Sequence, residues 1–283
     1  MARTVYVDGA YVDEADAKVS IFDRGYLFAD GVYEVTSVLG GKLIDAEPHF
    51  DRLDRSLSEL EIAWPCTRDE LVEVHRELVR LNGVDQGGVY MQITRGVADR
   101  DFTYPKDTPS VLTAFTQARN LIDHPKAATG VSVVSMPDIR WRRRDIKSIA
   151  LLAQAMCKQA ASEQGAYEGW MIEDGHVTEG TSSSSYIVKG DTVITRPISN
   201  AILAGVTRRT VLRLMAETGI GLDERPFTLA EAYDADEAFM TSASSFVLPI
   251  VEIDGRMIGG GQPGPVARRL REIYIEEAQQ TAI

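Results

Sequence analysis

Strand-like and helix-like stretches follow one another in this chain without regular β-α-β alternation, and that order excludes a doubly wound parallel sheet. β-type runs at residues 4–7 and 10–12 flank Asp8-Gly9, a hairpin turn. Residues 21–31 are turn-rich through Asp23-Arg24-Gly25 and Ala29-Asp30-Gly31. Residues 32–38 then alternate as a half-buried strand, with Tyr33 and Val35 on one face and Ser37 beyond them. Phe50, Leu53, Leu57 and Leu60 recur at helical spacing after Pro48, which suits a first turn. Thr67 with Glu70 makes a capping box for a second helix that ends near Asn82-Gly83. Residues 88–93 and 111–116 read as strands on either side of a polar loop, residues 95–108.

Asn120, Asp123, Pro125 and Gly130 then break the pattern. The expected division is a small N-terminal α+β domain over 1–118, a linker at 119–124 and a larger domain over 125–283. The second half opens with a strand at 131–136, and a helix follows Lys147 and runs to Gly165. Hairpins turn at Asp174-Gly175, Gly190-Asp191 and Asp254-Gly255, with strands at 238–241 and 250–253. Thr207 starts a helix that stops at Gly219, Thr228 with Glu231 caps a short one, and a last helix covers 263–278. There is no internal repeat and no low-complexity tract.

A chain of 283 residues with 44% hydrophobic residues has material for a substantial core. A net charge of -12 argues against nucleic acid, whose phosphates want a basic surface. Cys66 and Cys157 make no disulfide framework, and the four histidines, His49, His75, His124 and His176, are scattered, so no metal site is expected. With neither a signal peptide nor an apolar run of membrane-spanning length, a soluble cytoplasmic protein is expected.

The chemistry centres on Lys147. Arg142, Arg143 and Arg144 precede it and Ile149-Ala150-Leu151-Leu152 follow. A lysine partly withdrawn from water beside cations is suited to attack a carbonyl as the free amine. One chemistry that uses such a lysine is the Schiff base to pyridoxal phosphate, whose ring nitrogen needs a carboxylate; Glu179 is placed to supply one. Leu203-Ala204-Gly205-Val206-Thr207 sets a glycine turn before a helix, an arrangement that binds anions and equally an ordinary threonine N-cap.

The segments around Asp138–Ala161 and Val177–Val188 resemble the fold-type IV pyridoxal-phosphate aminotransferases, and within them the D-amino acid aminotransferases. Further motifs agree in order: SIFDRGYLFADGVYEV, HFDRL, YMQITRG, ILAGVTRR and FMTSASS. The resemblance implies two α/β domains with pyridoxal 5'-phosphate at their interface, and a transaminase moving the amino group of a D-amino acid to a 2-oxo acid. It assigns the Schiff base to Lys147, the ring nitrogen to Glu179, and the phosphate to Arg52, Val206, Thr207, Ser242 and Ala243; Arg140 falls near the phenolic oxygen. It places Tyr33, Val35, Arg100 and Phe102 in the substrate pocket, and implies a homodimer in which the Arg100 loop crosses to the neighbouring site. The chain departs from the pattern at three places: Ser184 stands where an asparagine is usual, Phe102 where a histidine is usual, and Ser37 replaces a strand lysine. Phe102 makes an R-selective amine transaminase the alternative, ahead of a branched-chain aminotransferase or an aminodeoxychorismate lyase. A non-catalytic protein of this fold would be expected to lose Lys147 or Glu179, and both are present.

Overall fold

The computed structural model describes residues 2–283. The chain divides into two compact units. The first holds the chain up to Asn120 with Ile146–Ala150 and Ala278–Ile283; the second holds Leu121–Asp145 with Leu151–Glu277. This differs from the contiguous division expected around 119–124, and the reason is backbone pairing. Ser148 bridges Val32, Tyr33 N–H donates to Lys147 O at 3.0 Å, and Ile149 N–H donates to Gly31 O at 3.1 Å. Leu43 and Ile283 exchange both backbone bonds, at 2.8 and 3.0 Å.

In the first unit the elements are β1 (Thr4–Val7), β2 (Ala10–Asp13), α1 (Arg24–Phe28), β3 (Gly31–Leu39), β4 (Lys42–Ile44), α2 (Ala46–Glu59), α3 (Arg68–Asn82), β5 (Gln86–Thr94) and β6 (Val111–Ala118). The strands form one antiparallel sheet in the order β2-β1-β6-β5-β3-β4. Thr67 and Glu70 cap α3 reciprocally, Glu70 N–H to Thr67 Oγ1 at 3.2 Å and Thr67 N–H to Glu70 Oε2 at 2.8 Å. α2 starts at Ala46, so Pro48 lies in its first turn, and Phe50, Leu53 and Leu57 face the core with Val32, Leu71, Leu78 and Met91. The same face also buries His49 and Ser56, which an apolar stripe alone does not predict. Helix α1 falls in the stretch read as turns. It is only five residues long, capped by Asp23 Oδ1 accepting from Gly25 N–H at 2.7 Å and closed by left-handed Ala29; such a length carries no periodicity to read.

The second unit contains β7 (Val131–Pro137), α4 (Leu152–Glu163), β8 (Glu168–Glu173), β9 (His176–Gly180), β10 (Ser184–Lys189), β11 (Thr192–Thr195), α5 (Val206–Thr218), β12 (Gly221–Glu224), α6 (Leu229–Tyr233), β13 (Glu237–Ser242), β14 (Phe246–Ile253), β15 (Arg256–Met257) and most of α7 (Pro265–Thr281). Its sheet runs β12-β11-β10-β13-β14-β7-β8-β9, with β15 on β14. β14, β7 and β8 are mutually parallel, as are β11 and β12, and the other pairs are antiparallel. The core gathers Val133, Trp170, Val177, Ile187, Phe227, Met240 and Leu248. The class is α+β, as the element order implies. Among the described residues no helix is long and apolar enough to cross a membrane.

Candidate active site

Lys147 is fixed by its backbone. Its carbonyl and its neighbours Ser148 and Ile149 run as an added strand along the start of β3, and its own N–H donates to Ser56 Oγ on α2 at 3.2 Å. Close approach here requires Gly31: a Cβ would stand 2.7 Å from Ile93 O and 3.0 Å from Ile149 Cδ1. The half-buried amine Nζ lies 4.1 Å from the centroid of the Tyr33 ring. Tyr33 stacks on Tyr90 at 5.6 Å, and Tyr90 on Phe115 at 4.8 Å. The lysine amine and Tyr33 therefore meet, while Val35 lies two residues along the same half-exposed face of β3.

The opposite face of β3 carries a charge that the alternation did not flag. Glu34 is 0% exposed. Its Oε1 and Oε2 accept from Arg52 Nε and Nη2 at 2.8 Å each, and His49 Nδ1 is 2.7 Å from Oε2. Burial alone would push the Glu34 carboxyl up, but Arg52 and His49 hold it far below the usual carboxylate range. His49 in turn is kept neutral-leaning, burial lowering its pKa against the pull of Glu34. Arg52 thus has one edge of its guanidinium committed within the sheet–helix layer. The signal in the sequence was the polar interruption of the apolar stripe: His49, Leu53 and Ser56 share one side of α2.

Glu179, next to last in β9, is buried and accepts from Leu203 N–H at 3.2 Å on both oxygens. Arg140 donates to Glu179 as well, and its Nε and Nη2 grip Asp138 at 3.0 and 2.7 Å. Burial pushes the Glu179 carboxyl up and Arg140 opposes it without cancelling it. Arg140, expected near the cofactor's phenolic oxygen, pairs with two carboxylates, its five donors serving both at once. The preceding run is also spent on carboxylates: Arg143 pairs with Asp145 at 3.0 Å and Arg144 with Glu173 at 2.7 Å. Two of the three arginines of that run thus have their charge matched by carboxylates.

α5 begins at Val206 with Gly205 as its N-cap, so Thr207 is the second helical residue and not the cap. Gly205 has no side chain to cap the first N–H groups of this 13-residue helix, and a helix N-terminus left without a side-chain cap is suited to an anion. A Cβ at Gly205 would stand 2.9 Å from Ser184 Oγ, so the turn can approach only as glycine. Arg208 Nε and Ser185 Oγ nearby in the chain are buried without a partner among the described residues. Ser184 starts β10 opposite Thr241, and Ser242 follows, its hydroxyl 2.7 Å from Ser245 Oγ. A glycine turn at a helix N-terminus and a serine turn suit a phosphate, and the buried Glu179 suits a protonated ring nitrogen. These residues fit pyridoxal phosphate.

The loop between β5 and β6 carries Arg100 and Phe102 at the surface. Phe102 is 77% exposed, and the Arg100 guanidinium lies 5.2 and 5.4 Å from the Phe28 and Phe102 rings. Ser37 is buried within the sheet opposite Gly88 and Ile44.

The class IV aminotransferase profile matches residues 31–253. The chain belongs to the class IV aminotransferases. It is 39% identical to the D-alanine aminotransferase of Staphylococcus haemolyticus over 277 residues, 96% of this chain and 98% of that one. With the D-alanine aminotransferase of Bacillus licheniformis the identity is 40% over 269 residues, 94% of each chain. The branched-chain aminotransferase of the thermophilic archaeon Thermoproteus uzoniensis, with norvaline, superposes with a TM-score of 0.88 at 26% identity, over 99% of this chain and 96% of that one. As a class IV aminotransferase the chain has the fold-type IV architecture that its motifs resemble.

Proposed function

We infer that the protein is a pyridoxal-phosphate-dependent transaminase that moves the amino group of a D-amino acid to a 2-oxo acid. The near-full-length likeness to two D-alanine aminotransferases carries this reading. Pyridoxal phosphate, when bound, supplies the electron sink that lets an α-proton leave the substrate. Lys147, held on the register of β3, would hold the cofactor through its Nζ, and the same amine would take up and return that proton. Glu179 would hold a proton at the ring nitrogen, and Arg140 favours its anionic form against its burial. Val206, Thr207, Ser242 and Ala243, with Arg52, hold the phosphate. Tyr33 and Val35 shape the substrate's place, and Arg100 pairs with its carboxylate.

The protein acts as a homodimer with the residue 95–108 loop crossing to a second copy. What supports this is an exposed apolar surface: Ile21, Phe22, Tyr26, Val97, Phe102 and Tyr104. Their two segments adjoin through an Asp23–Val97 bridge and the bond from Ala98 N–H to Phe22 O at 3.2 Å. A monomer rarely leaves such a surface uncovered. Phe102 in place of a hydrogen-bonding histidine favours one side activity, turnover of R-configured primary amines.

The test is a donor panel of D- and L-amino acids and both enantiomers of a simple arylalkyl amine, with pyruvate or 2-oxoglutarate as acceptor. D-amino acids should lead and L-amino acids should fail. Activity confined to L-amino acids would move the protein to a branched-chain specificity. Lys147→Ala should lose turnover by about three orders of magnitude or more, the scale expected on losing a covalent and acid–base group.

A further inference from the structure

The turn between β13 and β14 carries Ser242 and Ala243 and is held from behind in an unusual way. Phe246 pairs with Ser242 across the turn, is fully buried, and has φ +59. A bulky residue in the left-handed region persists only where its surroundings over-determine it. Two residues one turn apart on α7 do so. The Tyr274 ring packs on Phe246 at 4.9 Å with 56° between planes. Arg271 Nη1 donates to Ser245 O and Val247 O, both at 2.8 Å, the carbonyls on either side of Phe246. Its Nη2 donates to Ile122 O at 3.0 Å and to Leu121 O, at the start of the second unit.

Arg271 is 7% exposed, and all four of these acceptors are neutral carbonyls. Among the described residues it makes no ion pair within 4.0 Å. Burial lowers its pKa, with Asp123 opposing from farther off. A buried cation is seldom left without a paired anion, and keeping one costs stability unless its donors and charge are used. Besides the Leu121–Ile122 backbone, this guanidinium organises the serine turn, where Ser242 Oγ meets Ser245 Oγ at 2.7 Å and Ser244 Oγ at 3.3 Å.

We propose that Arg271 is a positioning residue for the cofactor phosphate: with Tyr274 it locks the Ser242–Phe246 turn in its strained form, so that the serine turn is set to receive a phosphate dianion. This rests on the reading that Ser242 and Ala243 take the phosphate. Arg271 acts through the turn and does not touch the reacting atoms.

The test compares pyridoxal phosphate with pyridoxal, which lacks the phosphate, on apoenzyme of the full chain, by absorbance titration and by melting temperature. Inorganic phosphate alone serves as a third probe in the melts. Wild type should prefer pyridoxal phosphate strongly and be stabilised by phosphate. Arg271→Lys keeps the charge but cannot span four carbonyls; it should weaken pyridoxal phosphate binding about ten- to a hundredfold, the scale of one or two lost charge-assisted contacts. Its pyridoxal affinity should stay within about threefold. Tyr274→Leu, which leaves Arg271 in place, should shift the same ratio in the same direction by several-fold, and it decides the matter if the Arg271 variant does not fold. An unchanged ratio in a folded variant, or a parallel loss for both ligands, would overturn the proposal and leave Arg271 a merely structural residue. A wild-type apoenzyme with no preference for the phosphorylated ligand would instead refute the phosphate reading of the serine turn.

Discussion

At the scale of the residue, the decisive balance is at Glu179. A carboxylate that keeps a ring nitrogen protonated must be charged, yet its burial favours the neutral acid. Arg140 and the Leu203 N–H favour its ionised form against that burial. Arg140→Ala removes the larger of these, so the Glu179 pKa, already raised, should rise further. The carboxylate form would then appear only at higher pH, and the acid limb of the kcat/KM profile should move to higher pH. Arg140→Lys, which restores a charge, should recover part of that shift. An acid limb in the wild-type position in Arg140→Ala would mean that Arg140 does not tune Glu179.

At the scale of the element, β3, α2 and α3 form a layer whose polar groups tie its stability to pH. His75 on α3 is fully buried, its Nδ1 bonded to Leu71 O at 2.8 Å and its ring edge-on to Phe50. Burial lowers its pKa from 6.5 to about 4. Since the unfolded chain binds this proton more readily, the contribution is complete above about pH 6.5 and is lost as pH falls towards 4. The gap corresponds to about 3 kcal/mol. Glu34, held far below the usual carboxylate range, adds a second loss below the ordinary glutamate pKa. Melting temperature should therefore fall between pH 6.5 and 4, and His75→Leu, which buries no proton acceptor, should flatten that slope. A slope unchanged in His75→Leu would place the acid sensitivity elsewhere.

At the scale of the whole molecule, the proposed dimer makes a quantitative prediction. If the Arg100 loop completes a neighbour's site, a heterodimer of an Arg100→Ala subunit and a Lys147→Ala subunit contains one intact site and one doubly damaged site. Statistical mixing makes half of the dimers heterodimers, so the mixture should recover about a quarter of wild-type turnover from two nearly inactive parents. Recovery no greater than the parents' sum would show that each site is built from a single chain.

Much of the local structure was legible because its causes are local. Asp8-Gly9 gives the first hairpin through left-handed residues at φ 42 and 98, and Thr67 with Glu70 and Thr228 with Glu231 cap their helices across three residues. Lys147 and Glu179 stood out through motifs, since the chemistry needs those residue types in that order. What the sequence could not determine is which distant groups meet. Ser56 receives the Lys147 N–H across 91 positions, and Arg271 reaches Leu121 across 150. Glu34 and His49 sit on an alternating strand and an amphipathic helix with nothing local to pair them, and packing makes them a buried ion cluster around Arg52. The arginines before Lys147 looked like a cationic field, and folding matched Arg143 to Asp145 and Arg144 to Asp138 and Glu173. Hairpins and caps are settled by dihedral preferences within a few residues; the partner of a buried charge is settled only when the chain closes around it and the cost of leaving it unpaired selects the arrangement.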